Sequence, residues 1–230
     1  MPVTTALLDA GGVILDESEH EAVRAEITAE ILAGVVPGYS TNAYYCDIEE
    51  AVRSFCPRAY EYVFWKRAGG DRAVFDELYA SYLEKWRERK PPLKLTAGID
   101  NEIREISRRF DIAIAGQYGR DMLHLLEEGS ILDCFTYRFT QDDFALTKPD
   151  PRYYEQITRA CGVAPGQCIM VGDRIDKDII PAKQLGMKTI LIRVGLHRHQ
   201  RPRIPSEVPD AQLSSVRGLA EAIAKAAEED

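Results

Sequence analysis

Two hydrophobic periods alternate along this chain. Short apolar runs of strand length occur at residues 4–8, 111–115, 135–139, 168–171 and 189–194. Each is bounded by Gly, Asp, Pro or a charged cluster, as strands are. Between them apolar residues recur at helical spacing. Residues 17–32 carry acids early and then Val23, Ile27 and Ile31, four apart on one face. Residues 47–55 and 57–67 predict two short helices. Residues 71–89 predict a long one, with Phe75, Leu78, Tyr79, Tyr82, Leu83 and Trp86 on one stripe and Asp71 as its N-cap. Further helices are predicted at 99–110, 122–128, 152–161, 179–185 and 215–227. Strands alternating with helices imply a parallel sheet covered on both faces. Residues 17–91 hold no strand pattern and read as a helical insert after the first strand. The expected organisation is an α/β core of residues 1–16 and 92–230, with a Rossmann-like parallel sheet, and a helical domain of residues 17–91.

The candidate chemistry clusters where these strands end. The first strand runs into Asp9-Ala10-Gly11-Gly12, which puts a carboxylate at its C-terminal end. In an open α/β sheet ligands bind at that edge. Taken alone, Asp followed by Gly-Gly is also an ordinary turn. Lys148-Pro149-Asp150-Pro151 follows a later strand candidate, Gly172-Asp173 follows the run 168–171, and Asp178 comes five positions after Asp173. A carboxylate, an ammonium and two more carboxylates suit a divalent cation together with an anionic substrate. Mg²⁺ takes one or two carboxylates plus phosphate and water oxygens.

This order resembles the haloacid dehalogenase (HAD) superfamily over nearly the whole chain. The resemblance is carried by Asp9, by Lys148-Pro149, and by Gly172-Asp173 through Asp178 to Gly186-Met187. It implies that residues 17–91 are a cap domain. It implies Asp9 as a nucleophile forming an aspartyl phosphate, which splits one hard displacement into two easier ones. Asp9, Asp173, Asp178 and the backbone carbonyl of Gly11 would hold Mg²⁺, and Lys148 would meet both the phosphoryl group and Asp9. Two positions depart from the family pattern. Gly11 stands where phosphatases of the family usually carry a second Asp, which serves as general acid and base. Gly116-Gln117 stands where Ser or Thr usually donates to the phosphoryl group, leaving backbone N–H groups and the Gln117 amide as candidate phosphate donors. The implied function is a Mg²⁺-dependent phosphatase acting on a small phosphomonoester. The alternatives are a HAD-like binding or regulatory protein with weak or lost catalysis, and a dehalogenase-type carbon–heteroatom hydrolase. In the cap, Arg58, Lys66 and Arg67 are candidates for the far end of an anionic substrate. Tyr44, Tyr45, Tyr60, Tyr62, Phe64 and Trp65 either line a pocket or form the core of the insert itself.

Composition narrows the remaining classes. Lys+Arg is 29 and Asp+Glu is 37, a formal charge of −8. That argues against a nucleic-acid surface, though a local Lys and a metal can still attract an anion. The N-terminus lacks a basic stretch followed by a long apolar run, so no signal peptide is expected. No apolar run approaches the roughly 18–20 residues that span a bilayer. The five cysteines show no metal-type spacing and fit a reducing compartment. The expected setting is cytoplasmic, as a monomer or homodimer, with a small phosphorylated substrate and no nucleic-acid or membrane partner. The basic stretch His197–Arg203 reads as a solvated loop, with the His197/His199 pair as a remote metal candidate.

Overall fold

The computed structural model describes residues 2–228. They form two compact units. One comprises the residues up to 16 and those from 93 onward; the other is Glu17–Pro92.

The first unit is built on a parallel five-stranded sheet of order β2-β1-β3-β4-β5. Its strands are β1 (Thr5–Leu8), β2 (Asp111–Ile114), β3 (Cys168–Gly172), β4 (Lys188–Ile192) and β5 (Ala211–Leu213). Alternate residues of each strand face opposite sides, and both sides are apolar. Ala6, Leu8, Ile112, Ile114, Ile169, Val171, Ile190 and Ile192 face one layer. There they meet Ile99, Ile103 and Ile106, Met122 and Leu126, and Leu219 and Ile223. Leu7, Ala113, Ala115, Cys168 and Met170 face the other layer, against Tyr153, Tyr154, Ile157, Cys161 and Ala182.

The central register fixes the functional edge. Leu8 pairs with Ile114 on one side and Val171 on the other. Asp9, Ala115 and Gly172 therefore lie at the same level, where β1 and β2 leave the sheet and β3 ends. The chain then doubles back in a tight turn. Leu15 N donates to Ala10 O at 2.8 Å, and Gly12 N to Leu15 O at 3.0 Å. Gly12 adopts φ +70° there, a conformation glycine reaches without steric cost. A short stem follows: Leu15 bridges Leu95 in antiparallel sense, Thr96 N donates to Ile14 O at 2.9 Å, and Asp16 N to Lys94 O at 2.9 Å.

The second unit has four helices: α1 (Ser18–Leu32), α2 (Thr41–Arg53), α3 (Ala59–Arg67) and α4 (Arg72–Arg89). Asp71 caps α4, accepting from the N–H groups of Ala73 and Val74 at 2.9 and 3.1 Å. Stacked rings of Phe75, Tyr79, Tyr82 and Trp86 run down α4. The helices of the first unit are α5 (Ile99–Ile106), α6 (Arg120–Glu128), α7 (Pro151–Cys161), α8 (Ile180–Gln184) and α9 (Leu219–Glu228). No helix among the described residues is long and apolar enough to cross a membrane.

Three element expectations are corrected. Residues 135–139 are not a strand of the sheet. Only Tyr137 pairs with β2, as an isolated bridge to Ala113, while its ring stacks on Phe139. The helix expected at 47–55 begins at Thr41, where the Ser40 hydroxyl accepts from Ala43 N. β5 was not expected: a strand of three residues is too short to give a periodic signal.

Candidate active site

Asp9, Lys148, Asp173 and Asp178 converge at the carboxyl edge of the sheet. Asp9 is held just beyond β1 by its own N–H, which donates to Val171 O at 2.9 Å. Lys148 enters from the loop before α7, ahead of a cis peptide bond to Pro149. Its Nζ donates to Asp9 Oδ1 at 2.7 Å and to Asp178 Oδ1 at 2.6 Å. Asp173 directly follows β3. Asp178 lies in a single π-helical turn, Ile175–Ile179, which leads into α8. Such turns are uncommon and recur at functional sites. Asp178 is fully buried. Its Oδ2 accepts from Arg174 N at 3.1 Å, and its Oδ1 accepts from Tyr154 OH at 3.3 Å.

Each of Asp9, Asp173 and Asp178 offers one carboxylate oxygen within 4.8 Å of the others. Two glycines make the approach possible. A Cβ on Gly12 would lie 2.9 Å from the Asp173 carboxyl carbon, and one on Gly172 would lie 2.4 Å from that of Asp178. Both positions are closed to any larger side chain unless the carboxylates move. Three hard anionic oxygens in such a cradle fit Mg²⁺ better than a soft metal, which prefers sulfur or imidazole.

The charges are strongly interdependent. Burial pushes the Asp9 carboxyl up from its ordinary 3.8 to about 6; Lys148 pulls it down and Asp178 pushes it further up. Asp9 thus remains ionised at neutral pH yet is more basic than an exposed carboxylate. Burial works against the Lys148 charge, but Asp178 and Asp9 outweigh it and hold the ammonium well above its usual range. The cluster reads as one ammonium serving two carboxylates, with a third carboxylate alongside.

The other expected positions flank this cluster. Gly11 is buried in the turn after Asp9, bridged to Leu15. Gly116 is buried beyond β2 and Gln117 is half-buried next to it. A Cβ on Gly116 would stand 2.4 Å from the Ala10 Cβ and 2.7 Å from Ala10 N. The missing hydroxyl at this position therefore reflects close packing of the chain against the residue after Asp9. Sequence reasoning missed Tyr153 and Tyr154. Tyr154 binds Asp178 and, at 2.8 Å, Lys177 O. Tyr153 is buried with its hydroxyl 3.5 Å from Gly116 O. The signal was their position just after Lys148-Pro149-Asp150-Pro151, at the start of a helix facing the sheet.

Within the helical unit, the basic residues expected to meet a substrate are engaged elsewhere. Arg67 and Lys66 both bind the buried Asp47, at 2.7 and 3.0 Å, Lys66 also binds Glu50 at 2.6 Å, and Arg58 pairs with Glu61. Phe64 is core, and the hydroxyls of Tyr44 and Tyr60 donate to Glu21. Trp65 and Tyr45 remain substantially exposed. The stretch at 197–203 is not a free loop either. Leu196–His199 forms a 3₁₀ turn, and burial, reinforced by Arg174, pushes the His197 imidazole down to about 3.

Comparison with known proteins agrees with this geometry. The HAD-hydrolase-like family model matches residues 145–219, which include Lys148, Asp173 and Asp178. Glyceraldehyde 3-phosphate phosphatase of Methanopyrus kandleri is 25% identical over 99% of this chain and 100% of its own length. Phosphoserine phosphatase of Thermus thermophilus is 34% identical over a shorter stretch, 39% of this chain and 35% of its own. The magnesium-bound HAD-hydrolase YfnB of Bacillus subtilis superposes with a TM-score of 0.67 at 19% identity, covering 97% of this chain and 99% of that one. The sheet order, the acidic cluster at its carboxyl edge and these similarities point one way: residues 145–219 match the HAD-hydrolase-like family, and the fold is that of haloacid dehalogenase superfamily hydrolases.

Proposed function

We propose that the protein is a Mg²⁺-dependent phosphatase of small phosphomonoesters that works through an aspartyl-phosphate intermediate. The observation that carries this reading is the Lys148 ammonium set between Asp9 and Asp178, with Asp173 completing a compact acidic cluster at the sheet edge. In this reading Asp9, Asp173, Asp178 and the Gly11 carbonyl would hold Mg²⁺, which would neutralise the carboxylates and polarise the phosphoryl oxygens. An Asp9 carboxylate oxygen attacks phosphorus in line. The phosphorus–ester oxygen bond breaks, and the leaving alkoxide takes a proton from water, since residue 11 offers no acid. Water then attacks the phosphorus of the acyl phosphate, releasing phosphate and restoring Asp9. Lys148 stabilises charge on the transferring group in both steps. The N–H groups at Gly116 and Gln117, with the Gln117 amide, bind the remaining phosphoryl oxygens. The helical unit takes the role of cap.

Two relatives are named for three-carbon phosphomonoesters, glyceraldehyde 3-phosphate and phosphoserine. A compact substrate of that size is accordingly the class proposed. The test is phosphate release from a panel headed by these two compounds and p-nitrophenyl phosphate, with and without Mg²⁺. Asp9→Asn and EDTA are each expected to reduce turnover to background. Full activity in the Asn variant would sink the mechanism. A second reading, binding without turnover, is favoured by the lack of a side chain at both Gly11 and Gly116. Ligand-induced stabilisation with no phosphate release from any panel member would select it.

A further inference from the structure

Gln200 stands out among the residues that this reaction does not use. It lies in the basic stretch after β4, yet it is 1% exposed. Both ends of its amide are engaged by the π-helical turn that carries Asp178. Ile175 N donates to Gln200 Oε1 at 2.7 Å, and Gln200 Nε2 donates to Asp176 Oδ1 at 2.8 Å. The first N–H groups of a helical segment lack partners within it. Here Gln200 takes that of Ile175, and the Asp178 carboxylate takes that of Arg174. The segment between Asp173 and Asp178 is thus clamped from outside by Gln200 and from inside by Asp178 itself.

The clamp is anchored in turn. Gln200 N donates to His197 O at 2.9 Å. The Gln200 carbonyl accepts from Arg193 Nη1 at 3.1 Å and from Arg201 Nη1 at 2.8 Å. Arg193 directly follows the last residue of β4, so the amide is referenced to the sheet. Asp176 is held as well, by Arg174 Nη2 at 2.6 Å. A buried amide satisfied at both ends, on a segment tied to the sheet, fixes its partner's position more closely than apolar packing would.

We propose that Gln200 is a positioning residue for the cation site. By holding Ile175 N–H and Asp176 it sets the spacing of the Asp173 and Asp178 carboxylates, and so governs Mg²⁺ affinity and not the chemical step. The inference rests on the magnesium reading above. Loss of a partner that orients metal ligands typically costs about 10–100-fold in metal affinity.

The test is calorimetric titration of the full-length protein with Mg²⁺ alone, alongside thermal melts in EDTA and in Mg²⁺. Gln200→Leu keeps the approximate bulk and removes both hydrogen bonds. Gln200→Glu keeps the acceptor for Ile175 N–H but sets a negative charge against Asp176. The double variant Gln200→Glu/Asp176→Asn restores a donor–acceptor pair with reversed polarity. The expected result is a Kd for Mg²⁺ raised about 10–100-fold in Gln200→Leu and at least as much in Gln200→Glu. Most of that loss should be recovered in the double variant, and kcat at saturating Mg²⁺ should stay within a few-fold of the parent. A lower melting temperature in EDTA with an unchanged Kd would mean Gln200 serves stability alone, and the proposal would fall. If Gln200→Leu does not fold, the comparison of Gln200→Glu with the double variant decides. Asp173→Asn separates the two levels of argument. Mg²⁺ binding that survives in Asp173→Asn, or is absent from the parent, overturns the magnesium reading itself. Binding lost in Asp173→Asn but unchanged in the Gln200 variants overturns only the role of Gln200.

Discussion

Asp9 combines burial, one ammonium and a neighbouring carboxylate, and its raised pKa of about 6 sets a testable limit on the proposed reaction. Only the ionised form can attack phosphorus. A raised carboxyl pKa means the group is ionised above it and protonated below it. kcat/KM is therefore expected to fall on the acid side of about pH 6. Because a cation competes with the proton for the same oxygens, the acid limb should move to lower pH as Mg²⁺ is raised. A pH–rate series at two Mg²⁺ concentrations checks both statements, and a limb that ignores Mg²⁺ would contradict the assignment of Asp9 as a ligand. Gly116 gives a second residue-scale test. A side chain there meets Ala10 backbone and Cβ, so overpacking at this buried strand end should cost about 1–3 kcal/mol. Gly116→Ser is expected to lower the unfolding free energy extrapolated from urea titration by that amount and to leave turnover no better than the parent. A gain in rate would show that the strand end can yield.

At this scale the acidic residues were legible because Asp9 and Asp173 directly follow strands and Asp178 comes five positions after Asp173, in a recognisable order. The tyrosines were not, because their role depends on which face of α7 meets the sheet. Nor was Gln200: nothing in His197–Arg203 marks one polar residue as buried, and its burial follows from hydrogen bonds made by residues 25 and 24 positions earlier.

Among the elements, α1 carries the most consequential polar group outside the acidic cluster. Glu21 accepts from Tyr44 OH at 2.6 Å and from Tyr60 OH at 3.1 Å, and Arg24 packs over the rings of Tyr60 and Trp86. Burial pushes the Glu21 carboxyl from 4.5 up to about 7, against the pull of both tyrosines and Arg24. The folded state therefore holds a proton that the unfolded chain has released between these two values. The protonated group's contribution is fully present below pH 4.5 and is lost as pH rises through about 7. The slope has an upper limit of about 1.4 kcal/mol per pH unit. Denaturant unfolding of Glu21→Gln across this range should lack that slope, and a parallel pH dependence in parent and variant would refute the account. The four-helix pattern was legible from apolar spacing. The early start of α2 was hidden because Pro37-Gly38 signals a break, whereas Ser40 supplies the cap that starts the helix. The aromatic alternation at 135–139 misled for a related reason: strand-like spacing there serves ring stacking, with one backbone bridge to β2.

For the molecule as a whole, a formal charge of −8 gives no hint of an anion-binding site. Locally a buried lysine sits among three carboxylates where the sheet ends, and the proposed divalent cation would bring that cluster to neutrality. Sequence order revealed this because parallel α/β topology brings every strand's C-terminal end to one edge. The stem formed by residues 14–16 and 94–96 carries a further consequence. The chain departs from the sheet unit and returns to it through two segments already joined by backbone hydrogen bonds. Loop-closure entropy is thus met at the stem, and it depends only weakly on how many residues lie beyond it. The helical unit behaves as a graft on a fixed socket. Replacing residues 17–92 with a short Gly/Ser turn should leave a chain that still forms the parallel sheet and still binds Mg²⁺, read by circular dichroism and calorimetry. If that chain fails to fold, the socket is not self-sufficient. If it folds, the same socket can accept inserts of quite different length and sequence without redesign of the acidic cluster, which leaves substrate choice free to diverge while the proposed chemistry stays fixed.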